Sequence, residues 1–315
     1  MSRGKRICLS SKVSLDDINP DTITMFQRYK VDMTMRNLSE ETQHQYETDL
    51  RQWFSYVYLY QQNRCVTDLC DDDITEFLYF CMKEGNNSQR IKRRIAVIST
   101  FYKFLRKKKL IKENPVEFVD RPKHGIRVVV QSFLTPEQVA LMREKLIECG
   151  DIQLRTYAML SLSTMARVRA VASIRWEQID LHNKVIHNVL EKESKIVDLF
   201  FSEEVKLLLT QLRSYRISKN IDDRGWVFYS GRNKDKPINK GTLNAWCKRI
   251  GKMIDVPTLH PHDFRHSGAT LLKNAGMSLE DVATLLSHEN TDTTRKFYIK
   301  QDTARISAVK SLYNI

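Results

Sequence analysis

His260-Pro261-His262-Asp263-Phe264-Arg265-His266-Ser267-Gly268-Ala269-Thr270 is the stretch on which the reading of this 315-residue chain turns. On a helix, a spacing of three residues puts His262 and Arg265 on one face. Arginine presents a rigid fork of donors matched to phosphate oxygens, and an imidazole beside it takes or gives a proton near neutral pH. Such a pair can hold a phosphodiester and activate a hydroxyl. Leu285-Leu286-Ser287-His288 and then Thr293-Thr294-Arg295-Lys296-Phe297-Tyr298 follow downstream. Tyr298 supplies a hydroxyl, a weak nucleophile until a base or a cationic field helps remove its proton. Two other readings compete for the same residues. His260, His262 and His266 as zinc ligands lack the Cys or Glu of a standard set. A DNA-reading helix-turn-helix over 266–288 would open its second helix with Leu279-Glu280-Asp281, whose acids repel phosphate, so a helix packed inside an enzyme domain fits better.

The whole chain agrees with a polyanionic partner. Its formal net charge is +13 and its pI about 9.4, and clustered Lys and Arg bind phosphate chiefly by releasing condensed counterions. A membrane surface would attract the same charge, but no apolar run approaches bilayer length and Met1 to Lys12 lacks a signal-peptide core, so a cytoplasmic protein without a membrane partner is expected. Six cysteines at 8, 65, 70, 81, 149 and 247 form neither a metal knuckle nor a disulfide framework. Basic residues concentrate in Arg90, Lys92, Arg93 and Arg94, and again from Lys103 to Lys112; the alternative to phosphate contact is a solvated helix face.

Length favours two domains, and the periodic segments are mainly α with a small β-hairpin. Ser39 N-caps a helix placing Tyr46, Leu50, Trp53, Phe54 and Val57 on one face. Asp71 to Asp73 open a second with Ile74, Phe77, Leu78 and Cys81, and Ser88 opens a third with Ile91, Ile95, Ile98, Tyr102 and Leu105. Three helices are thus expected as a bundle, closed by Asn114-Pro115. Arg121 to Gln131 reads as a linker, and Thr135-Pro136-Glu137-Gln138 opens the next domain with a capping box. Val185–Val189 and Ile196–Phe201 form a hairpin around Glu191 to Ser194. Helices are expected at 203–215, 240–254, 262–275 and 279–287.

Beyond these periodicities, the chain resembles the tyrosine recombinases, which include phage integrases, Xer-type recombinases and Cre. The resemblance rests on Thr164-Met165-Ala166-Arg167 running to Trp176, Lys192 in the hairpin turn, His262 with Arg265, then His288 and Tyr298, all in the family's order. Leu38-Ser39-Glu40-Glu41-Thr42 with Tyr46 and Leu50, Ser99 to Leu105, and Glu113-Asn114-Pro115 resemble its core-binding domain. Some positions depart from the pattern. Met165 and Ala166 stand where Gly and Leu are usual, Ala170 where an acid commonly follows the Arg, and Ser287 where Gly precedes the His. Tyr298 lies ten residues after His288 instead of nine. Arg169 rivals Arg167, although register with Trp176 favours Arg167, and Lys195 rivals Lys192.

The resemblance implies a two-domain fold: an N-terminal extension (1–21), a helical SAM-like core-binding domain (22–120), a linker (121–131), a catalytic domain (132–298) and a C-terminal segment (299–315) that contacts a neighbouring protomer. It implies a site-specific recombinase acting without metal or cofactor on double-stranded DNA, through a 3′-phosphotyrosyl intermediate and a Holliday junction, as a homotetramer on two paired sites. The short N-terminus resembles that of simpler recombinases, with integration or excision of a mobile element the first expectation and Xer-like dimer resolution the second. A catalytically weak DNA-binding member of the fold, or a relaxing enzyme resembling type IB topoisomerases, is the competing class. The implied catalytic set is Tyr298, Arg167, Lys192, His262, Arg265 and His288. Arg90, Lys92, Arg93, Arg94, Lys240 and Lys248 are the DNA-contact candidates, in a protein that joins the nucleoid when bound.

Overall fold

The computed structural model describes residues 8–122, 133–191, 195–229 and 235–286, and the chain divides into two units, Met1–Val129 and Val130–Ile315. Among the described residues no helix is long and apolar enough to cross a membrane.

The first unit has four helices, not three: α1 Pro20–Met35, α2 Glu40–Tyr60, α3 Asp71–Lys83 and α4 Ser88–Lys107. The additional helix, α1, has ordinary local causes. Asn19 accepts from the backbone N–H groups of Asp21 (3.0 Å) and Thr22 (3.2 Å), Pro20 occupies the first turn, and Met25, Phe26, Tyr29 and Met33 form a buried stripe at helical spacing. Helices α2 to α4 bury the expected faces. The core centres on Tyr29, Trp53, Phe54 and Phe101, all fully buried, with Tyr29 and Phe101 meeting edge to face at 5.2 Å. Each such side chain contributes roughly 1.5–3 kcal/mol by leaving water. The segment expected as an extension is built into this core from Leu9 onward: Leu9, Val13 and Ile18 are buried, and the Leu9 N–H donates to Gln52 at 2.8 Å.

Arg94 needs correction as a DNA-contact candidate. It is 2 % exposed, donates to Asn86 at 3.1 Å and lies 3.7 Å from the buried carboxylate of Asp49, a placement out of reach of a phosphate backbone. Arg90 and Arg93 reach the same carboxylate at 3.2 and 3.0 Å but keep more than a third of their side-chain surface in solvent.

The second unit runs α5 Pro136–Glu148, α6 Ile152–Thr164, α7 Val168–Ala172, β1 Ile179–Asp180, β2 Val185–Leu190, β3 Ile196–Phe200, α8 Glu203–Ser218, α9 Lys240–Met253, α10 Pro261–Asn274 and α11 Leu279–Leu285. The expected hairpin gains a third strand, giving an antiparallel sheet in the order β1-β2-β3. Its register breaks between Ile186 and Val189, where Asn188 takes a positive φ and its N–H goes to the Asp198 side chain. Helix α6 runs through the centre, buried on nearly every side from Leu154 to Thr164. Tyr157 on it meets Phe228 and Phe264 edge to face at 5.8 and 6.1 Å. Helix α10 packs against α6 so closely that a Cβ on Gly268 would stand 2.3 Å from the Leu162 carbonyl oxygen.

Candidate active site

Three short pieces of backbone set the site. Helix α6 ends on Met165, whose φ of 53° turns the chain in the left-handed region; a non-glycine residue there carries roughly 1–2 kcal/mol of strain. Arg167 then sits at the N-cap of α7, two residues past the turn. At the end of β2, the Glu191 N–H donates to the Lys195 carbonyl at 2.8 Å, and this closes the hairpin and turns the Glu191 side chain inward. Helix α10 begins with His260 and Asp263 capping one another: the His260 N–H donates to the Asp263 carboxylate at 2.9 Å. Ser267 one turn on accepts from the Leu134 N–H at 2.7 Å, which anchors α10 to the start of the unit.

These elements bring Arg167, Arg265 and Glu191 into contact. Glu191 pairs with Arg167 through the guanidinium and also accepts from the Arg167 N–H at 3.4 Å. Its other contact is with Arg265, at 3.9 Å. Arg265 is 6 % exposed and is tied to the Met165 carbonyl at 2.7 Å and to the Leu286 carbonyl. It thus fastens the end of α6 and the residue after α11 to α10. Arg169, the rival of Arg167, is exposed on α7, and Ala170 is buried in the core. The carboxylate at Arg167 therefore comes from Glu191, the residue after β2, while position 170 on the helix is alanine.

His262 stands on the first turn of α10. It is exposed by surface area, yet enough protein surrounds the imidazole for desolvation to be the first cause that lowers its pKa from 6.5, followed by the charges of His260, Arg265, Lys240 and Arg167. A cationic neighbourhood penalises the protonated ring, so His262 is held neutral and able to accept a proton. Asp263 moves the other way: burial raises its carboxyl above the ordinary value despite the His260 contact. Lys240, at the start of α9, is exposed and shares this field, while Lys248 is exposed further along α9. Lys192, His288 and Tyr298 lie outside the described residues, as does the expected C-terminal segment. Sequence reasoning passed over Glu191; the available signal was a carboxylate directly beside Lys192, coupled with the alanine at 170.

The phage integrase family profile matches residues 132–305, and its N-terminal SAM-like domain matches residues 26–109. The chain belongs to the phage integrase family. By family it is a tyrosine-type site-specific recombinase, with a SAM-like first domain and a catalytic second one. Among curated members it is 26 % identical over 296 residues to a tyrosine recombinase of Thermosipho africanus, covering 92 % of this chain and 99 % of that one. It is 28 % identical over 266 residues to tyrosine recombinase XerD of Halalkalibacterium halodurans, covering 82 % and 87 %. In fold it is similar to a lambda integrase dimer bound to a COC′ core site, with a TM-score of 0.68 at 16 % identity over 87 % of this chain and 94 % of the other.

Proposed function

We propose that this recombinase cleaves and rejoins duplex DNA through a 3′-phosphotyrosyl bond at Tyr298, as a homotetramer that passes through a Holliday junction. The observation that carries the reading is the convergence of Arg167 and Arg265 on Glu191 beside a His262 held neutral. The two arginines clamp the nonbridging oxygens of the scissile phosphate and offset the charge of the pentacovalent transition state. The Tyr298 oxygen attacks phosphorus in line and loses its proton to His262. The bond from phosphorus to the 5′-oxygen breaks, and that oxygen takes a proton from Lys192, with Lys195 as its rival. His288 adds a hydrogen bond. The phosphotyrosyl ester keeps the energy of the broken diester, so a 5′-hydroxyl of a partner strand reverses the step without ATP. Lys192, His288 and Tyr298 enter by their order in the sequence.

The test is a duplex nicked next to the cleavage point, so that the short fragment released with the 5′-hydroxyl diffuses away and the adduct is trapped. Wild type should form a covalent protein–DNA product and Tyr298→Phe should not; an adduct with the phenylalanine variant would remove Tyr298 as nucleophile, and none with wild type would favour a DNA-binding role. For the biological substrate we propose integration or excision of a mobile element. The long match to a XerD favours dimer resolution as the second reading. Sequencing DNA trapped covalently in cells separates them, since two sites flanking a movable segment support the first and a single chromosomal or plasmid site the second.

A further inference from the structure

Glu191 is a charged group at the site to which the chemistry above assigns no part. Its side chain is 1 % exposed, whereas that of Arg167 keeps 29 % of its surface in solvent. The carboxylate therefore lies on the protein side of the arginine, not in front of it. One oxygen pairs with the Arg167 guanidinium, and the other accepts from the Arg167 N–H at 3.4 Å and stands 3.9 Å from Arg265. Two guanidiniums that must converge on one phosphate repel each other while the site is empty, and more strongly where water is excluded. A carboxylate sealed among them removes that repulsion, and the arginines in turn make its burial tolerable. Helix α7 has no acid to offer one turn beyond Arg167, because Ala170 is there, fully buried.

We propose that Glu191 is a positioning residue of the cleavage reaction: from the end of β2 it holds Arg167 and Arg265 in one converging clamp before DNA arrives, leaving the solvent side of Arg167 to the phosphate. The inference rests on the cleavage reading above. Its place directly before Lys192 creates a rival explanation, action through the proton donor to the leaving group, and the substrate chosen for the test separates the two.

Full-length wild type, Glu191→Gln and Glu191→Asp are compared on nicked duplexes that carry either the ordinary 5′-oxygen or a bridging 5′-sulfur at the scissile phosphate. A thiolate leaves without being protonated, so the sulfur substrate does not need the lysine. Glu191→Gln, of equal size, should slow adduct formation by about 10- to 100-fold on both substrates, with DNA affinity within about twofold of wild type because most phosphate contacts lie elsewhere. Glu191→Asp should recover part of the rate. A Gln variant as fast as wild type would overturn the proposal, as would a defect that vanishes on the sulfur substrate. An equal loss in both variants, matched by a fall in melting midpoint, would reduce Glu191 to a structural role and overturn it too. Absence of an adduct with wild type would bring down the cleavage reading and this inference together, whereas cleavage by wild type with an unimpaired Gln variant would bring down this inference alone.

Discussion

A histidine among cations is a base whose readiness depends on pH in a predictable direction. The pKa of His262 is lowered from 6.5 by desolvation and by His260, Arg265, Lys240 and Arg167, so the folded protein binds that proton more weakly than the unfolded chain does. The stability associated with this group is complete above pH 6.5 and is lost as pH falls through the lowered folded value. Urea midpoints measured across that window should decline toward acid in wild type and flatten in His262→Asn. If His262 accepts the proton of Tyr298, adduct formation at sub-saturating DNA, which reports the ionisation of the free protein, should hold its rate below pH 6.5 and fall only as the lowered value is crossed. A rate that halves at or above pH 6.5 would show that the proton goes elsewhere. The neighbouring residues show why identity alone is a poor guide at this scale. Arg94 and Arg90 are both arginines of one basic run, yet the first is sealed at 2 % exposure beside Asp49 and the second keeps 38 % of its side chain in water.

At the scale of elements, the site depends on how closely two helices approach. Gly268 on α10 faces the Leu162 carbonyl of α6 so closely that an added Cβ would stand 2.3 Å from its oxygen, and Arg265 lies on the same helix with its guanidinium on the Met165 carbonyl. Gly268→Ala should force the helices apart and cost about 1–3 kcal/mol, the usual range for overpacking a tight core, measured by urea denaturation. Adduct formation should fall at least tenfold at a urea concentration of zero, since Arg265 moves with α10. An unchanged midpoint would mean that the helices slide without cost. Elements also differ in how they announce themselves. The stripes of α2, α3 and α4 alternate with polar faces and can be read from spacing, as can the stripe of α1, which begins at an evident Asn19-Pro20 cap. Helix α6 has no such stripe: buried on nearly all sides, it carries no period to detect. The two-residue strand β1 is too short to show alternation, and it exists because β2 offers it an edge.

For the whole molecule, net charge and its placement set the expected behaviour on DNA. With +13 on the chain, affinity for duplex should fall steeply with salt, the logarithmic slope losing about 0.9 for each phosphate contact removed. Lys92→Ala should reduce that slope by about one. Arg94→Ala should leave the slope unchanged and lower the urea midpoint instead, because its partners are Asp49 and Asn86. A slope change in the Arg94 variant at full folding would return that residue to the DNA surface. The two units have separate hydrophobic cores, one around Trp53 and Phe101 and the other around Tyr157 and Phe264, in keeping with family profiles that match each part of the chain separately.

By itself, the sequence determined the family, the helical class, most helix boundaries and the order Arg167, His262, Arg265, because those depend on local caps, apolar spacing and residue identity. Tertiary structure alone decided that Arg167 and Arg265 converge on one carboxylate, that Arg94 is a core residue, and that the carboxylate is the buried Glu191. The physical reason is common to all three. Which cation faces a phosphate and which carboxylate offsets it are matters of burial and of distances between elements far apart in the chain, such as the 74 positions between Glu191 and Arg265, and no local pattern encodes them.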